Sequence, residues 1–542
     1  MQILKLYHTV KYLRPVQIFN RFYRVIKKIK LDAKPIDKRE LSRNWLSYPL
    51  SESCYIGGNQ YKFLNVIDVI SNWNDEKKSK LWNYNLHYFD DLNRLDWQER
   101  NVKHISLINT WIEENPLMHG NGWEPYPLSL RIVNWIKWFL SGNAAQEKWF
   151  ASLTLQTQAL QQQLEYHLLG NHIFANAKAL VFSGCYFKGE QANIWLIKGL
   201  KILEKEIPEQ ILPDGGHFEL SPMYHNIILS DMLDLVNLGN TYSNSIPPHL
   251  VQRWSQVIIK MLKWREAMTH PDGEVSFFND SAFYISPSAE RICNYADMLG
   301  IFSKMKQEEN VTYLKDSGYI KLVNGKESTI LDVAKVGPDY IPGHAHADTL
   351  SFEWNYDKQR VFVNSGTSVY GLGSERLRQR KTESHNTVVI DDEDSSEVWS
   401  GFRVARRAYP SKPIITESGG SIFVECSHDG YMRLRGKVTH TRKWMINDSG
   451  FSVTDKLLGS FNSAQAHYHF HPDIQLEQSN GSKNQLNLYS PDGTHFMIEV
   501  IGADIKICDS TWHPEFGVSI VNKKIVLNFK KSEVKLSINM VN

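Results

Sequence analysis

Three histidines, His344, His346 and His385, fall within one stretch of the chain that also carries several carboxylates. Imidazole titrates at about pH 6.5, so it can move a proton or, when neutral, hold a metal through a ring nitrogen. The surrounding sequence reads as strands: SFEW and RVFVNSG alternate or run apolar, while PG before His344 and SGTS after Asn364 read as turns. The histidines are therefore expected near strand ends. Four earlier segments carry polar residues among unusual neighbours. NGWEPYPLSLRIVNW (121–135) holds Trp123, Glu124, Tyr126 and Arg131 at a loop-to-helix junction, and HLLGNHIFANAKAL (167–180) opens a helix at Asn171 beside His167 and His172. ILPDGGHFELSPMYHNIILSDML (211–233) holds Asp214, His217, Glu219, Tyr224 and His225, and PDGEVSFFNDSAF (271–283) is a polar loop. Each has a structural alternative: Asn171 as a helix cap, Tyr224 as a core residue, DGG as a turn.

The elements that must position these residues come in two textures. Helical periodicity predicts helices near 98–115, 127–141, 147–168, 170–187, 190–207, 222–239 and 247–269. Helices of similar length with short links suggest pairs arranged in a ring or solenoid. From about residue 312 short alternating runs separated by turn signals predict an antiparallel sandwich. The expected division is a basic amphipathic segment over 1–40, a helical domain over 41–311 and a β-sandwich domain over 312–542.

Bulk properties narrow the function classes. The 542 residues carry a formal net charge of +2, so nothing global points to nucleic acid, and an anionic substrate must be met locally. Tryptophan and tyrosine, 16 and 24 residues, suit sugar faces, although buried aromatics are commoner. Five scattered cysteines without CxxC spacing suggest neither a disulfide framework nor a thiolate metal site. No apolar run reaches the roughly 18 residues needed to span a bilayer, and no secretory signal is read at the amino terminus. Residues 16–30 place Ile18, Phe19, Phe22, Val25, Ile26 and Ile29 among Arg and Lys at helical spacing. Peripheral contact with an anionic membrane is one reading of that segment, and packing on the main body is the other. The expected location is cytoplasmic or peripheral to the inner membrane.

In this order, WEPYPLSLRIVNW, GNHIFANAKAL, LPDGGHFELSPMYH, PGHAHADTLSFEW, VNSGTSVYG and SHNTVVID resemble the heparinase II/III-like polysaccharide lyases and their alginate lyase relatives, over roughly residues 80–400. The resemblance implies an incomplete (α/α) toroid followed by an antiparallel β-sandwich. It also implies β-elimination on a uronate-containing acidic polysaccharide. The amino terminus, read without a secretory signal and with a basic helix, makes exopolysaccharide or capsule metabolism the expected setting. That chemistry needs the substrate carboxylate neutralised, a base at C5 and an acid for the C4 leaving oxygen. Asn171 matches the amide that meets the carboxylate, Tyr224 the tyrosine that protonates the leaving oxygen, and His344 the histidine opposite. As a base, Tyr224 would need nearby positive charge, for which Arg378 and Arg380 stand near in sequence. Trp123, Glu124, Tyr126, Arg131, His172, Glu219 and Arg378 are candidate substrate-binding residues. No cofactor is required. The resemblance also implies a structural zinc site formed by His346, the position of Asn364 and His385, where an amide replaces the usual carboxylate and weakens the donor set.

Three other functions remain open. A uronate C5 epimerase would share the early proton abstraction. A toroidal glycoside hydrolase would use paired carboxylates such as Asp214 and Glu219. A non-catalytic glycan-binding or assembly factor in polysaccharide biosynthesis would need neither. The sugar and the oligomeric state are not legible.

Overall fold

The computed structural model describes residues 2–32, 36–302, 309–479 and 482–541. Helices α1 (Gln2–Val10) and α2 (Pro15–Ile26) precede a small antiparallel sheet of Tyr55–Gly57, Gln60–Phe63 and Val66–Val69. That sheet begins where the sequence suggested only a polar connection. The ring of helices follows: α3 (Lys80–Tyr88), α4 (Asn101–Glu114), α5 (Pro125–Leu140), α6 (Glu147–Gln162), α7 (Gly170–Tyr186), α8 (Glu190–Gln210), α9 (Pro222–Thr241), α10 (Pro248–Ala267) and α11 (Ala289–Met298). The helices predicted from periodicity are α4 to α10, with ends shifted by a few residues. α3 escaped the reading because KLWNYNLHY mixes polar and aromatic residues, burying Asn83 and His87 beside Trp82 and Leu86.

α7 lies at the centre of this half. It is buried nearly all round, and its enclosed polar residues are paired, Asn176 with Ser129 and Glu165, and Lys178 with Asp231 and Asp234. It packs so closely on α8 that a Cβ added at Gly184 would stand 2.5 Å from the Leu196 backbone nitrogen.

The second half is a β-sandwich. A five-stranded sheet (within 311–362) is linked through its last strand to a four-stranded sheet by the Phe362–Phe470 bridge. Together they face an eight-stranded antiparallel sheet across one core in which Trp354 stacks on Phe451 at 5.8 Å. Thr439–Asn447 shows the period-two logic, with His440, Arg442, Trp444 and Ile446 buried and Lys443 exposed. Burying Arg442 is tolerated because Asp455 accepts from its Nε at 2.7 Å and its Nη2 at 2.9 Å.

The halves meet along a polar seam. Trp264 Nε1 donates to Ser317 Oγ at 2.8 Å, Tyr319 donates to the Leu220 carbonyl at 2.8 Å, and His270 lies 2.8 Å from Glu353. These contacts fix the loops that carry the candidate site.

Candidate active site

Two helix starts open onto the seam. Ser221 caps α9 by accepting from the Tyr224 backbone nitrogen at 3.2 Å, and its hydroxyl donates to the Asp280 carbonyl at 2.5 Å. Tyr224 thereby occupies the first turn of α9. Asn171 occupies the first turn of α7, after Gly170 at φ +57°, where a side chain would collide with Glu219 and Ile341. The Asn171 backbone nitrogen donates to Glu219 Oε1 at 3.2 Å, a favourable place for a carboxylate at a helix amino terminus. Among the described residues the Asn171 side-chain amide has no hydrogen-bond partner, although the residue is 5% exposed.

His344 closes the group from the β side. Its ring packs on the Tyr224 ring at 4.0 Å between centroids. Its Nδ1 lies 2.9 Å from Asp280 Oδ2, and its Nε2 lies 3.5 Å from Glu219 Oε2. Asp280 is the hub: it also accepts from Arg376 Nη2 at 2.7 Å and lies 2.9 Å from His346 Nε2. Burial alone would push the Asp280 carboxyl up, but the Arg376 guanidinium and the two imidazoles hold it well below the ordinary carboxylate range. An ionised Asp280 can accept a proton from His344 Nδ1, and the ring then turns Nε2 toward Glu219 and the seam. Tyr370 completes the cluster, its hydroxyl 3.0 Å from that of Tyr224.

Two pKa shifts bear on chemistry. Burial pushes the Tyr224 phenol well above its ordinary value, and the Tyr370 and Tyr126 phenols push it further. Tyr224 is therefore a neutral phenol, able to give a proton. Burial also raises the Glu219 carboxyl, opposed by His344 and the Asn171 N–H.

The remaining candidates divide. The His172 and Tyr126 rings lie 4.6 Å apart, tilted by 47°, beside the Asn171 turn, with His172 Nδ1 3.1 Å from Glu165 Oε1. Trp123 and Arg131 are core residues. Arg131 is fully buried over Trp111 and donates to Gln156 and to the His87 and Gly122 carbonyls. Trp123 is 3% exposed, so neither offers a face to a sugar. Glu124 is engaged by Lys80 at 3.0 Å and by the Tyr84 hydroxyl. Arg378 points away, donating to Glu375, Thr511 and His513, and Arg380 donates to the Ala345 carbonyl. The cation beside the tyrosines is Arg376, 4.9 Å from the Tyr370 ring centre. Asp214 accepts from backbone nitrogens of Gly216, Asp316 and Ser317. As a turn-forming residue it is not the carboxylate that a hydrolase would pair with Glu219.

A carboxylate not named from the sequence stands with the two expected histidines. His346 Nδ1 and His385 Nε2 lie 3.2 Å apart, and the carboxylate that joins them is Asp348, with one donor atom from each residue within 4.8 Å of the others. Asn364 instead accepts from the Asn386 backbone nitrogen at 3.2 Å, and its buried Nδ2 has no partner. Two imidazoles and a carboxylate suit zinc, and a carboxylate behind His346, here Asp280, is the usual second-shell support. The residues present fit such an ion.

A helical ring closed by an antiparallel sandwich, with tyrosine, histidine and asparagine meeting at the seam, defines a toroid–sandwich protein. A solved heparinase III structure shares this fold at a TM-score of 0.71 and 19% identity, covering 97% of this chain and 89% of that one. The description Heparinase II/III N-terminus matches residues 5–310 and Heparinase II/III-like, C-terminal matches residues 306–541. The chain belongs to the heparinase II/III-like family. A heparin-sulfate lyase of Bacteroides stercoris is 25% identical over 364 residues, 60% of this chain and 51% of the relative. A second, from Pedobacter heparinus, is 24% identical over 462 residues, 79% of this chain and 64% of the relative. The matches thus span half to just under two thirds of these relatives' own lengths.

Proposed function

We propose that this protein is a polysaccharide lyase that cleaves a uronate-containing acidic glycan by β-elimination. The observation that carries the reading is the convergence of three available groups: the unpartnered Asn171 amide, the His344 Nε2 lone pair and the neutral Tyr224 phenol. In this account the Asn171 amide meets the substrate carboxylate, so that charge can spread into it as the C5 proton leaves, and Glu219, whose carboxyl burial raises, stands beside it. His344 accepts that proton on the face its Nε2 reaches. Tyr224 gives its proton to O4 as the C4–O bond breaks. The names of the lyase relatives support heparan-like polymers as first substrates to try. The test is the ultraviolet absorbance of a 4,5-unsaturated uronate during incubation with a panel of uronate polymers. An epimerase would leave chain length unchanged, and a binding factor would leave the polymer intact.

Glu219 gives this reading a pH dependence. Its folded-state pKa is raised, so its contribution to stability is complete below the ordinary carboxyl range of about pH 4.3 and is lost as pH rises through the raised value. His344, His172 and Asp280 are the charged or titratable groups that act on it. Glu219→Gln should remove that dependence. The melting temperature of wild type should fall relative to the variant as pH rises, and its kcat/KM should fall over the same interval. Parallel profiles for the two proteins would contradict an acidic role for Glu219.

His346, Asp348 and His385 would hold a zinc-type ion with a structural role. Such an ion would offset the burial that raises the Asp348 carboxyl and would tie the segment carrying His344 to the segment carrying His385. Metal analysis of the purified protein should find about one equivalent per chain. His385→Ala and Asp348→Asn should each weaken retention by at least about 10-fold, and a chelator should lower the melting temperature of wild type only. Among the described residues no helix is long and apolar enough to cross a membrane, so membrane contact through residues 16–30 would be peripheral.

A further inference from the structure

Helices α1 and α2 turn polar side chains toward the protein and apolar ones toward water, the reverse of an ordinary surface helix. The inward contacts are polar. Thr9 Oγ1 accepts from Trp399 Nε1 at 3.1 Å, and the Tyr12 and Tyr409 hydroxyls lie 3.2 Å apart. Arg14 stacks 3.6 Å over the Tyr340 ring and pairs with Glu209. Gln17, 2% exposed, donates to the carbonyls of Leu168 at 3.3 Å and Tyr340 at 3.1 Å, and Arg24 meets His167. On the outward side Ile3 is 85% exposed, Phe22 73%, Val25 82% and Ile26 76%. Phe19 and Tyr23, stacked at 5.7 Å, extend the same patch. An exposed apolar surface of this kind marks an interaction site.

The charge around it identifies the occupant. Residues 1–31 contain eight Lys and Arg and no Asp or Glu, leaving 53 of the 61 basic residues to face all 59 acidic ones elsewhere. A second copy would set this basic segment against itself. An anionic bilayer instead accepts apolar side chains at the acyl boundary and basic ones among its phosphates. We infer that α1 and α2 seat the protein on the surface of an anionic membrane. Gln17 ties α2 to Leu168 and Tyr340, which lie three and four residues before Asn171 and His344. The docked helix therefore borders, on its inward side, the loops that build the candidate site. The consequence that the glycan is membrane-proximal, such as one still linked to a lipid, rests on the lyase reading, whereas the docking does not.

The test is co-sedimentation of the full chain with phosphatidylcholine vesicles containing or lacking phosphatidylglycerol. Binding should require phosphatidylglycerol and weaken as salt rises. Phe22→Ser with Ile26→Ser should weaken it by about 10-fold or more, while circular dichroism and activity on soluble uronate polymer stay unchanged. Absence of binding, or equal binding to neutral vesicles, would overturn the inference. So would a dimer or an acidic protein partner that the same substitutions dissolve without any effect of lipid. Vesicle binding is read without catalysis, so its failure is distinguishable from failure of the lyase reading.

Discussion

Tyr224→Phe is expected to lower kcat for elimination by about 10²- to 10⁴-fold, the usual scale for removing a positioned general acid. The phenol is neutral in its buried setting, so its proton is retained until the leaving oxygen takes it. The ring should remain against His344, since the 4.0 Å contact does not involve the hydroxyl. KM should therefore change little, and stability by about 1 kcal/mol at most, because the lost hydrogen bond is one neutral contact with Tyr370. Initial rates of unsaturated-product formation, with melting curves alongside, check both halves. A variant that keeps wild-type kcat would remove Tyr224 from the chemistry.

The second large effect is expected at Asp280. Asn in its place would keep the shape but remove the charge that selects the His344 tautomer and balances Arg376. Loss of the oriented base should cost about 10²- to 10⁴-fold in kcat. Arg376 is fully buried, and leaving it without its carboxylate should cost about 3–5 kcal/mol of stability. The double variant Asp280→Asn with Arg376→Met should regain much of the stability and none of the activity. Thermal melts and rates on the three proteins separate the roles. If activity returned with stability, Asp280 would be a structural residue only.

The hub was hard to read from sequence for a physical reason. Asp280 and Arg376 are 96 residues apart and lie in different halves of the fold, so no periodicity links them. The polar loop carrying Asp280 was visible in PDGEVSFFNDSAF, but its target was not. Asn171, Tyr224 and His344 were singled out through the family resemblance; in the structure Asn171 and Tyr224 stand in the first turns of their helices and His344 in the loop before Phe352. Arg131 and Trp123 misled because an Arg and a Trp at a helix start look like groove residues. Only the packed structure shows Arg131 enclosed, its guanidinium satisfied by two carbonyls and Gln156. Asp348 was passed over although it stands two residues after His346. The aspartate was sought at the position of Asn364, and the loop that carries His346 also brings the nearer carboxylate to the imidazoles. Helices α4 to α10 were legible through their 3.6-residue pattern. The outward apolar face of α2 was visible as amphipathicity, but its direction depends on Gln17 and Arg24 finding partners more than 140 residues away.

The most direct measurement is the structure of the new chain ends after the protein acts on a uronate polymer in deuterated water. The account predicts fragments with a 4,5-unsaturated uronate at the non-reducing end, absent with Tyr224→Phe. Saturated ends on both fragments would mean hydrolysis. Deuterium at C5 in uncleaved chains would mean epimerisation, and either result would contradict elimination.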